Sequence, residues 1–169
     1  MTEKLTIVDF GLGNLHSIQK AFQYIGGKPV FDRDGTSILN SEKLVLPGVG
    51  AYFEGMKRLE SCQQLKPIKK FAASGRPLLG ICLGCQMLLS SSEEFCSAEG
   101  LDLIPGKVVK IPKTTETIPH VGWKTLNIKP SVPSMYFPFP SITKGVWTYF
   151  LHSYHALPEQ EKYIRGTCE

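Results

Sequence analysis

The 169-residue sequence lacks the features that would place it in a membrane, outside the cell or on nucleic acid. Its apolar stretches fall short of the roughly 18 residues of a membrane span. Its first residues show no basic region followed by a long apolar core, so no secretory signal is predicted. The net charge of +4 comes from scattered lysines and arginines rather than from a basic stripe. We therefore expect a cytoplasmic globular protein with no membrane and no nucleic-acid partner.

Cysteines are few, and their number and spacing argue against structural disulfides. The chain has five, Cys62, Cys82, Cys85, Cys96 and Cys168, at irregular intervals. A reducing cytosol would keep such thiols free. Cys82 and Cys85 nevertheless have C-x-x-C spacing, which is compatible with a zinc site, with a redox dithiol, or with one nucleophile beside an unrelated cysteine.

The zinc and dithiol interpretations have weak support in the surrounding residues. A structural zinc site needs four ligands, and neither Cys62 nor Cys96 has a second cysteine at ligand spacing. His152 and His155 would point to opposite faces of a single strand. A dithiol at a helix start would have a lowered thiol pKa, but only Leu-Gly separates the two cysteines here. The third interpretation is favoured.

The glycines around Cys82 carry the more specific pattern. Gly80 and Gly84 give G-x-C-x-G between the strand-like segment "PLLGI" and the segment "LGCQMLLSSSEEF", which is predicted as a helix. This is a nucleophile elbow with cysteine in place of serine. The helix dipole would favour the Cys82 thiolate, and the Leu83 amide would donate to an oxyanion. Cys85 is expected to be a buried thiol one turn into the helix.

Apolar strands alternate with helical segments in the first half of the chain. "KLTIVDF", "KPVFDR" and "KLVLPG" precede "PLLGI" as strands, and helices are predicted after Asn14 and, in two pieces, from Ala51 to Ser74. Strands that are apolar throughout are typical of a parallel sheet covered on both faces. The order predicts an α/β fold with an open, mostly parallel sheet and helices on both faces, with the site at the carboxyl ends of the strands. After Gly100, short strands predict an antiparallel C-terminal part within one domain spanning residues 1–169.

Several motifs together resemble a known family. "GICLGCQMLL" is similar to the nucleophile turn of the class I glutamine amidotransferases, which use a Cys-His-Glu triad. "IVDFGLGNLHSIQKAF", "LVLPGVGAY", "GLDLIPGKVVKI", "PHVGW" and "YFLHSYHA" resemble, in this order, the glutaminase subunits of imidazole glycerol phosphate synthases. The resemblance covers the chain from near residue 5 onward, and it implies a flavodoxin-like fold without cofactor or metal.

The resemblance also implies roles for individual residues. Cys82 would attack the glutamine amide and form a thioester, with backbone amides of Val49 and Leu83 holding the oxyanion. Glutamine would be bound by four residues: Gly50, Gln86, Ser153 and Tyr154. His120 and Trp123 would face a partner, a TIM-barrel cyclase that forms a heterodimer with this subunit and consumes the ammonia in histidine biosynthesis.

One departure from the family pattern is serious. The catalytic His and Glu of the family lie in a "QFHPE" segment, which these 169 residues do not contain. None of the four histidines matches it, so none is assigned to the triad, and the chain is expected to be C-terminally incomplete. Its glutaminase activity should be lower by several powers of ten than that of an intact relative. Two alternatives stay open: a paralogous subunit for surface-sugar amination, and a non-catalytic binding subunit.

Overall fold

The computed structural model describes residues 4–112, 118–129 and 145–168. Within these ranges there are four α-helices: α1 (Leu15–Tyr24), α2 (Tyr52–Ser61), α3 (Leu65–Ala73) and α4 (Leu83–Gln86). The strands are β1 (Leu5–Val8), β2 (Val30–Asp32), β3 (Lys43–Leu46), β4 (Leu78–Gly80), β5 (Leu89–Ser92), β6 (Ala98–Glu99), β7 (Ile104–Lys110), β8 (His120–Thr125), β9 (Asn127–Ile128), β10 (Trp147–His152), β11 (Tyr154–Pro158) and β12 (Gly166–Thr167). No helix in these three ranges is long and apolar enough to cross a membrane.

The first four strands form one parallel sheet in the order β2-β1-β3-β4. Ile7 pairs with Val45 and Val45 pairs with Leu79, so the strands run in register through the centre. Every residue of β1 is buried, as expected for a strand that is covered on both faces. The predicted α/β class is therefore confirmed, and the carboxyl ends of β3 and β4 are neighbours.

Helices cover both faces of this sheet. On one face, Leu44 and Leu46 of β3 belong to a large apolar cluster that includes residues of both α2 and α3. On the other face, Ile7 and Val45 pack with the apolar side of α1, which contributes Leu15, Ile18 and Phe22. Alternate residues of one strand thus serve two cores, which fixes the register of the sheet.

The helix boundaries follow the local signals in the sequence. The Asn14 side chain caps α1 by accepting a hydrogen bond from the Ser17 amide at 3.3 Å. Gly26 ends the helix with a φ of +87°, a conformation that glycine adopts without strain. Between α2 and α3 the chain breaks after Ser61, and Pro67 lies in the first turn of α3, where its missing N–H is not needed. Both the break and the position of Pro67 agree with the sequence prediction.

The later strands form smaller sheets. One has the order β11-β7-β5-β6, in which β5 and β7 are parallel and the other two pairings are antiparallel. The pairs β8–β10 and β9–β12 are both antiparallel. The antiparallel character expected after Gly100 is therefore present.

One predicted element is wrong. The segment "LGCQMLLSSSEEF" is predicted as a single helix, but α4 ends at Gln86 and Leu89–Ser92 form strand β5. Serine competes with helix formation through its hydroxyl, and here the Ser90 hydroxyl donates to Asp102 at 2.5 Å and accepts from the Gly106 amide. Pairing of β5 with β6 and β7 therefore outweighs the apolar spacing that suggests a helix.

Candidate active site

Cys82 lies at the turn between β4 and α4 in a backbone conformation that side chains rarely adopt. Its φ is +55° and its ψ is −116°, and its side chain is exposed. Its carbonyl accepts hydrogen bonds from the Cys85 amide at 3.0 Å and the Gln86 amide at 3.2 Å, which closes the turn. Backbone strain of this kind is held in place only by surrounding structure and is concentrated at functional sites. The turn therefore presents the Cys82 thiol at the carboxyl end of the sheet.

The two glycines that flank Cys82 are required by close backbone contacts. A Cβ atom at Gly80 would lie 2.6 Å from the Cys85 Cα. A Cβ atom at Gly84 would lie 1.8 Å from the Leu46 carbonyl oxygen. Neither distance is possible for a real side chain, so the G-x-C-x-G pattern reflects how tightly the turn packs against itself and against β3.

The "PGVG" loop after β3 contacts the Cys82 turn directly. A Cβ atom at Gly48 would meet the Leu83 Cβ at 3.0 Å and the Gly84 amide nitrogen at 3.2 Å. The backbone N–H groups of Val49 and Leu83 have no acceptor within the described part of the chain. Unpaired amides on two adjoining segments beside a thiol are suited to binding a developing oxyanion.

A hydrogen bond connects the Cys82 turn to the "HSYH" segment. The Gln86 side chain donates from Nε2 to the Tyr154 carbonyl at 3.0 Å. The neighbouring Ser153 carbonyl accepts from the Ile111 amide at 2.9 Å, which holds this segment beside the end of β7. Three of the four residues predicted to bind glutamine, Gln86, Ser153 and Tyr154, therefore lie in two segments that touch. Gly50, the fourth, has a φ of +98° in the "PGVG" loop.

Two histidines extend this connection away from Cys82. His152 Nδ1 lies 2.8 Å from the Tyr154 carbonyl, so this nitrogen must carry the proton and donate. His152 Nε2 lies 3.3 Å from His120 Nδ1, and in the neutral pair it accepts from that nitrogen. Partial burial, and second the charge of His152, lower the pKa of His155. Hydrogen bonds thus link His120 to His152 and His152 to the Tyr154 backbone.

The two residues predicted to face a partner differ in their surroundings. Trp123 is 62% exposed and forms an edge-to-face contact with the Tyr149 ring, with centroids 5.6 Å apart. His120 is partly buried and stacks on Phe150 while it contacts His152. The exposed position of Trp123 leaves it available to a partner, whereas His120 already has contacts within the chain.

The expectation for Cys85 is wrong in one respect. Cys85 is predicted to be buried in helix packing, but it is exposed. Because α4 ends after four residues, it turns no buried face towards a core at this position. Partial desolvation by the atoms around it, and second the charge of Cys82, raise the pKa of the Cys85 thiol. The short helix also gives a weaker dipole than the sequence suggests.

Glu94 is a neighbour of the site that the sequence motifs did not identify. Its carboxylate oxygen Oε2 accepts from the Tyr52 amide at 2.8 Å, at the first residue of α2 and just after the "PGVG" loop. The next residue, Phe95, lies near the Tyr154 ring at a centroid distance of 6.5 Å. Within the described ranges, no group of three or more His, Cys, Asp or Glu side chains could hold a metal ion.

The chain matches the family model "Glutamine amidotransferase class-I" over residues 6–164. A solved structure described as "Crystal structure of glutamine amidotransferase" has the same fold, with a TM-score of 0.66 over 92% of this chain and 74% of that chain at 12% identity. Together with the cysteine at the strand-to-helix turn, these findings define the class of protein: the chain belongs to the class-I glutamine amidotransferase family.

Two relatives with higher sequence identity than this solved structure are both HisH subunits. The imidazole glycerol phosphate synthase subunit HisH of Geobacter sulfurreducens is 41% identical over 171 residues, which cover 98% of this chain and 80% of the relative. The HisH subunit of Methanosarcina acetivorans is 41% identical over 167 residues, which cover 99% of this chain and 79% of the relative.

Proposed function

We propose that this protein is the glutaminase subunit of an imidazole glycerol phosphate synthase. It would release ammonia from glutamine and pass it to a cyclase subunit in histidine biosynthesis. Support comes from the family match and from relatives that carry the HisH name over nearly the whole chain. Nothing in the described residues favours the alternative of surface-sugar amination. A cytoplasmic location stays a prediction.

The observation that carries this proposal is the position of the Cys82 thiol. It stands exposed on a strained turn, against a loop whose Val49 amide is unpaired among the described residues. In the proposed reaction, the Cys82 sulfur attacks the side-chain amide carbon of glutamine. The carbonyl oxygen becomes an oxyanion, which accepts hydrogen bonds from the Val49 and Leu83 amides. The C–N bond then breaks, and ammonia leaves with the proton that the Cys82 thiol has lost. A γ-glutamyl thioester remains for water to hydrolyse.

Four residues are proposed to hold the substrate. Gln86, Ser153 and Tyr154 lie where α4 meets the "HSYH" segment, and Gly50 lies in the loop on the other side of the turn. The Gln86 side chain donates a hydrogen bond to the Tyr154 carbonyl. This bond fixes one wall of the proposed pocket. The glycine at position 50 leaves its backbone open, since no atom lies within 4 Å of where a Cβ would stand.

No histidine of this chain is proposed as the general base. His152 Nδ1 is committed to the Tyr154 carbonyl, and the other histidines match no triad position of the family. A thiolate can acylate without a neighbouring base more readily than a thioester can be hydrolysed without one. We therefore propose that Cys82 forms the thioester and that the four histidines of this sequence do not assist its hydrolysis.

Trapping of Cys82 by an electrophilic analogue of glutamine, such as a chloroketone, tests the proposed function. The analogue should label Cys82 at least about tenfold faster than it labels Cys96, an exposed cysteine outside the predicted site, because the pocket concentrates it. Glutamine should slow labelling of Cys82 and leave the reaction with Cys96 unchanged. Mass spectrometry of the labelled peptides gives the readout.

Two comparisons make this experiment decisive. Iodoacetamide, which has no glutamine portion, should label Cys82 and Cys96 without the roughly tenfold preference for Cys82 that the analogue shows. The variant Cys96→Ser should be labelled at Cys82 as the unmodified chain is. Labelling of Cys82 that glutamine does not slow would contradict the proposed pocket.

A further inference from the structure

Cys82 and Cys85 form an exposed pair within one turn of backbone. The Cys85 amide donates to the Cys82 carbonyl at 3.0 Å, so the two residues close the same tight turn. A disulfide needs Cβ atoms about 3.5–4.5 Å apart. Both residues are exposed, so an oxidant or a reductant can reach the two thiols from solvent.

The proposed glutaminase reaction uses only one of these thiols. Cys85 has no place in the acylation steps, and it is exposed. Its pKa is raised by desolvation and then by the charge of Cys82. The raised pKa favours the protonated form of Cys85, which does not compete with Cys82 for the substrate. If Cys82 loses its negative charge, this repulsion is removed and Cys85 ionises more readily.

We propose that Cys85 is a resolving thiol that converts peroxide-oxidised Cys82 into a reversible Cys82–Cys85 disulfide. The Cys82 thiolate attacks the O–O bond of a hydroperoxide, forms a sulfenic acid and releases an alcohol, or water when the oxidant is hydrogen peroxide. The Cys85 thiolate then attacks the Cys82 sulfur, the S–O bond breaks, and hydroxide leaves and takes up the proton lost by Cys85. Two thiols are oxidised by two electrons, and one hydroperoxide is reduced.

This device would protect the nucleophile. A sulfenic acid without a neighbouring thiol is open to further oxidation to sulfinic and sulfonic acids, which common reductants do not reverse. Closure of the disulfide blocks that reaction and also removes the nucleophile from the glutamine pocket. A thiol reductant would restore both cysteines. The inference needs a reactive Cys82 thiol but no turnover of glutamine.

The test uses the full chain treated with hydrogen peroxide in slight excess and then with a thiol-blocking reagent. Digestion with trypsin and a glutamate-specific protease cuts after Lys70 and Glu93, so that Cys82 and Cys85 share a peptide that excludes the other three cysteines. We expect this peptide to lose two hydrogens in mass and to regain labelling at Cys82 after dithiothreitol. In Cys85→Ser, Cys82 should instead carry two or three oxygens, and reductant should recover at least about tenfold less label.

The variant Cys96→Ser is the matched control, because it removes an exposed thiol outside the pair, and it should behave as the unmodified chain does. Equal recovery in Cys85→Ser and in the unmodified chain would overturn the proposal. So would a Cys82 disulfide with Cys96 or with a second chain, or a Cys82 that does not oxidise. Labelling by the glutamine analogue before peroxide treatment reports separately on the proposed glutaminase site.

Discussion

At the scale of single residues, the site depends on positions where a side chain cannot fit. Gly48, Gly80 and Gly84 each bring one backbone segment against another within a distance that a Cβ atom would violate or strain. Cys82 is held at a positive φ in the middle of these contacts. The strain at the nucleophile is thus maintained by its neighbours, because relaxation of the turn would have to displace β3 or the "PGVG" loop.

Replacement of Gly84 by alanine should be strongly destabilising. The new methyl group would lie 1.8 Å from the Leu46 carbonyl oxygen and 2.9 Å from that of Pro47, so backbone must move. We expect a loss of about 3 kcal/mol or more in the free energy of unfolding, measured by urea denaturation. Labelling of Cys82 by the glutamine analogue should fall as well.

Gly75→Ala provides the matched control for this variant. Gly75 has a φ of +73°, but no atom lies within 4 Å of the place that the new methyl group would occupy. Only backbone strain of about 1 kcal/mol should result, with labelling of Cys82 unchanged. If Gly84→Ala and Gly75→Ala destabilise the protein equally, then the close backbone contacts at Gly84 do not contribute to the loss of stability.

The sequence pattern predicts the position of Cys82 but not the surroundings of Cys85 and Glu94, and the difference has a physical reason. The G-x-C-x-G spacing is local, and it is sufficient to place Cys82 at a strand-to-helix turn. The exposure of Cys85 depends on where α4 stops, and that is decided by strand pairing of Leu89–Ser92 with distant segments. Glu94 approaches the start of α2 across 42 residues of sequence, a contact that has no local signature.

At the scale of secondary structure elements, a buried polar group joins the end of β2 and the loop that follows it to the α2–α3 junction. The Asp32 carboxylate is 1% exposed and accepts from the Gly35 amide and the Ser37 amide, each at 2.7 Å. Gln64 Nε2 donates to the same carboxylate at 3.0 Å and to the Asp32 carbonyl at 2.9 Å. Three elements are therefore fixed by one carboxylate whose hydrogen bonds compensate for its burial.

We expect Asp32→Asn to destabilise the protein although it preserves shape. An amide has one acceptor oxygen, so its NH₂ group must face the N–H of Gly35, Ser37 or Gln64, and two donors would then oppose each other. The expected loss is about 2–3 kcal/mol in the free energy of unfolding, measured by chemical denaturation at neutral pH.

Asp34→Asn serves as the comparison, since Asp34 is two residues away and exposed. Its carboxylate accepts from the Thr36 amide at 3.1 Å and from the Thr36 hydroxyl at 2.7 Å, where water can replace either bond. This change should leave the free energy of unfolding nearly unchanged. If the free energy of unfolding falls equally in Asp32→Asn and Asp34→Asn, then burial of Asp32 does not increase the contribution of its hydrogen bonds to stability.

The elements themselves are largely predictable, because apolar runs and caps are local signals. The first four strands, helices α1 to α3 and the position of Pro67 agree with the sequence prediction. The helix proposed through Ser92 fails because periodicity cannot distinguish a short apolar strand from a helix. The sheet β11-β7-β5-β6 depends on pairings between segments far apart in sequence, which no single segment reveals.

At the scale of the whole molecule, the β8–β10 pair presents an apolar surface to solvent. Tyr149 pairs with Trp123 and Leu151 pairs with Val121, so alternate residues of both strands share one face. This ribbon face consists of five residues that are each at least half exposed: Val121, Trp123, Trp147, Tyr149 and Leu151. Contiguous apolar patches of this kind are typical of interaction surfaces.

Trp123→Ala should weaken association with a cyclase subunit. Large aromatic residues near the centre of an interface contribute most of its binding energy. Trp123, which the sequence predicts to face the partner, lies on the ribbon face. We expect the Kd to rise at least about tenfold, as measured by titration calorimetry. Circular dichroism should show no loss of fold, since the Trp123 side chain is mostly exposed.

Leu157→Ala is the control for the partner surface. Leu157 is 51% exposed on β11, outside the ribbon face, and its truncation should leave the Kd within a factor of about two. Comparable weakening by both changes, or by neither, would count against the ribbon face as the partner surface. The sequence predicts Trp123 in this role but not Trp147, Tyr149 or Leu151, because the β8–β10 pairing is not visible in it.

The hydrogen bond from Gln86 to the Tyr154 carbonyl also determines when the site can assemble during protein synthesis. It joins residues 68 positions apart. A ribosome that adds about 5–20 residues per second needs roughly 3 to 14 seconds to travel this distance. During that interval the nascent chain contains Cys82 but not yet Tyr154, which forms one wall of the proposed pocket. Translation order thus delays the assembly of the site until Tyr154 has been added to the chain.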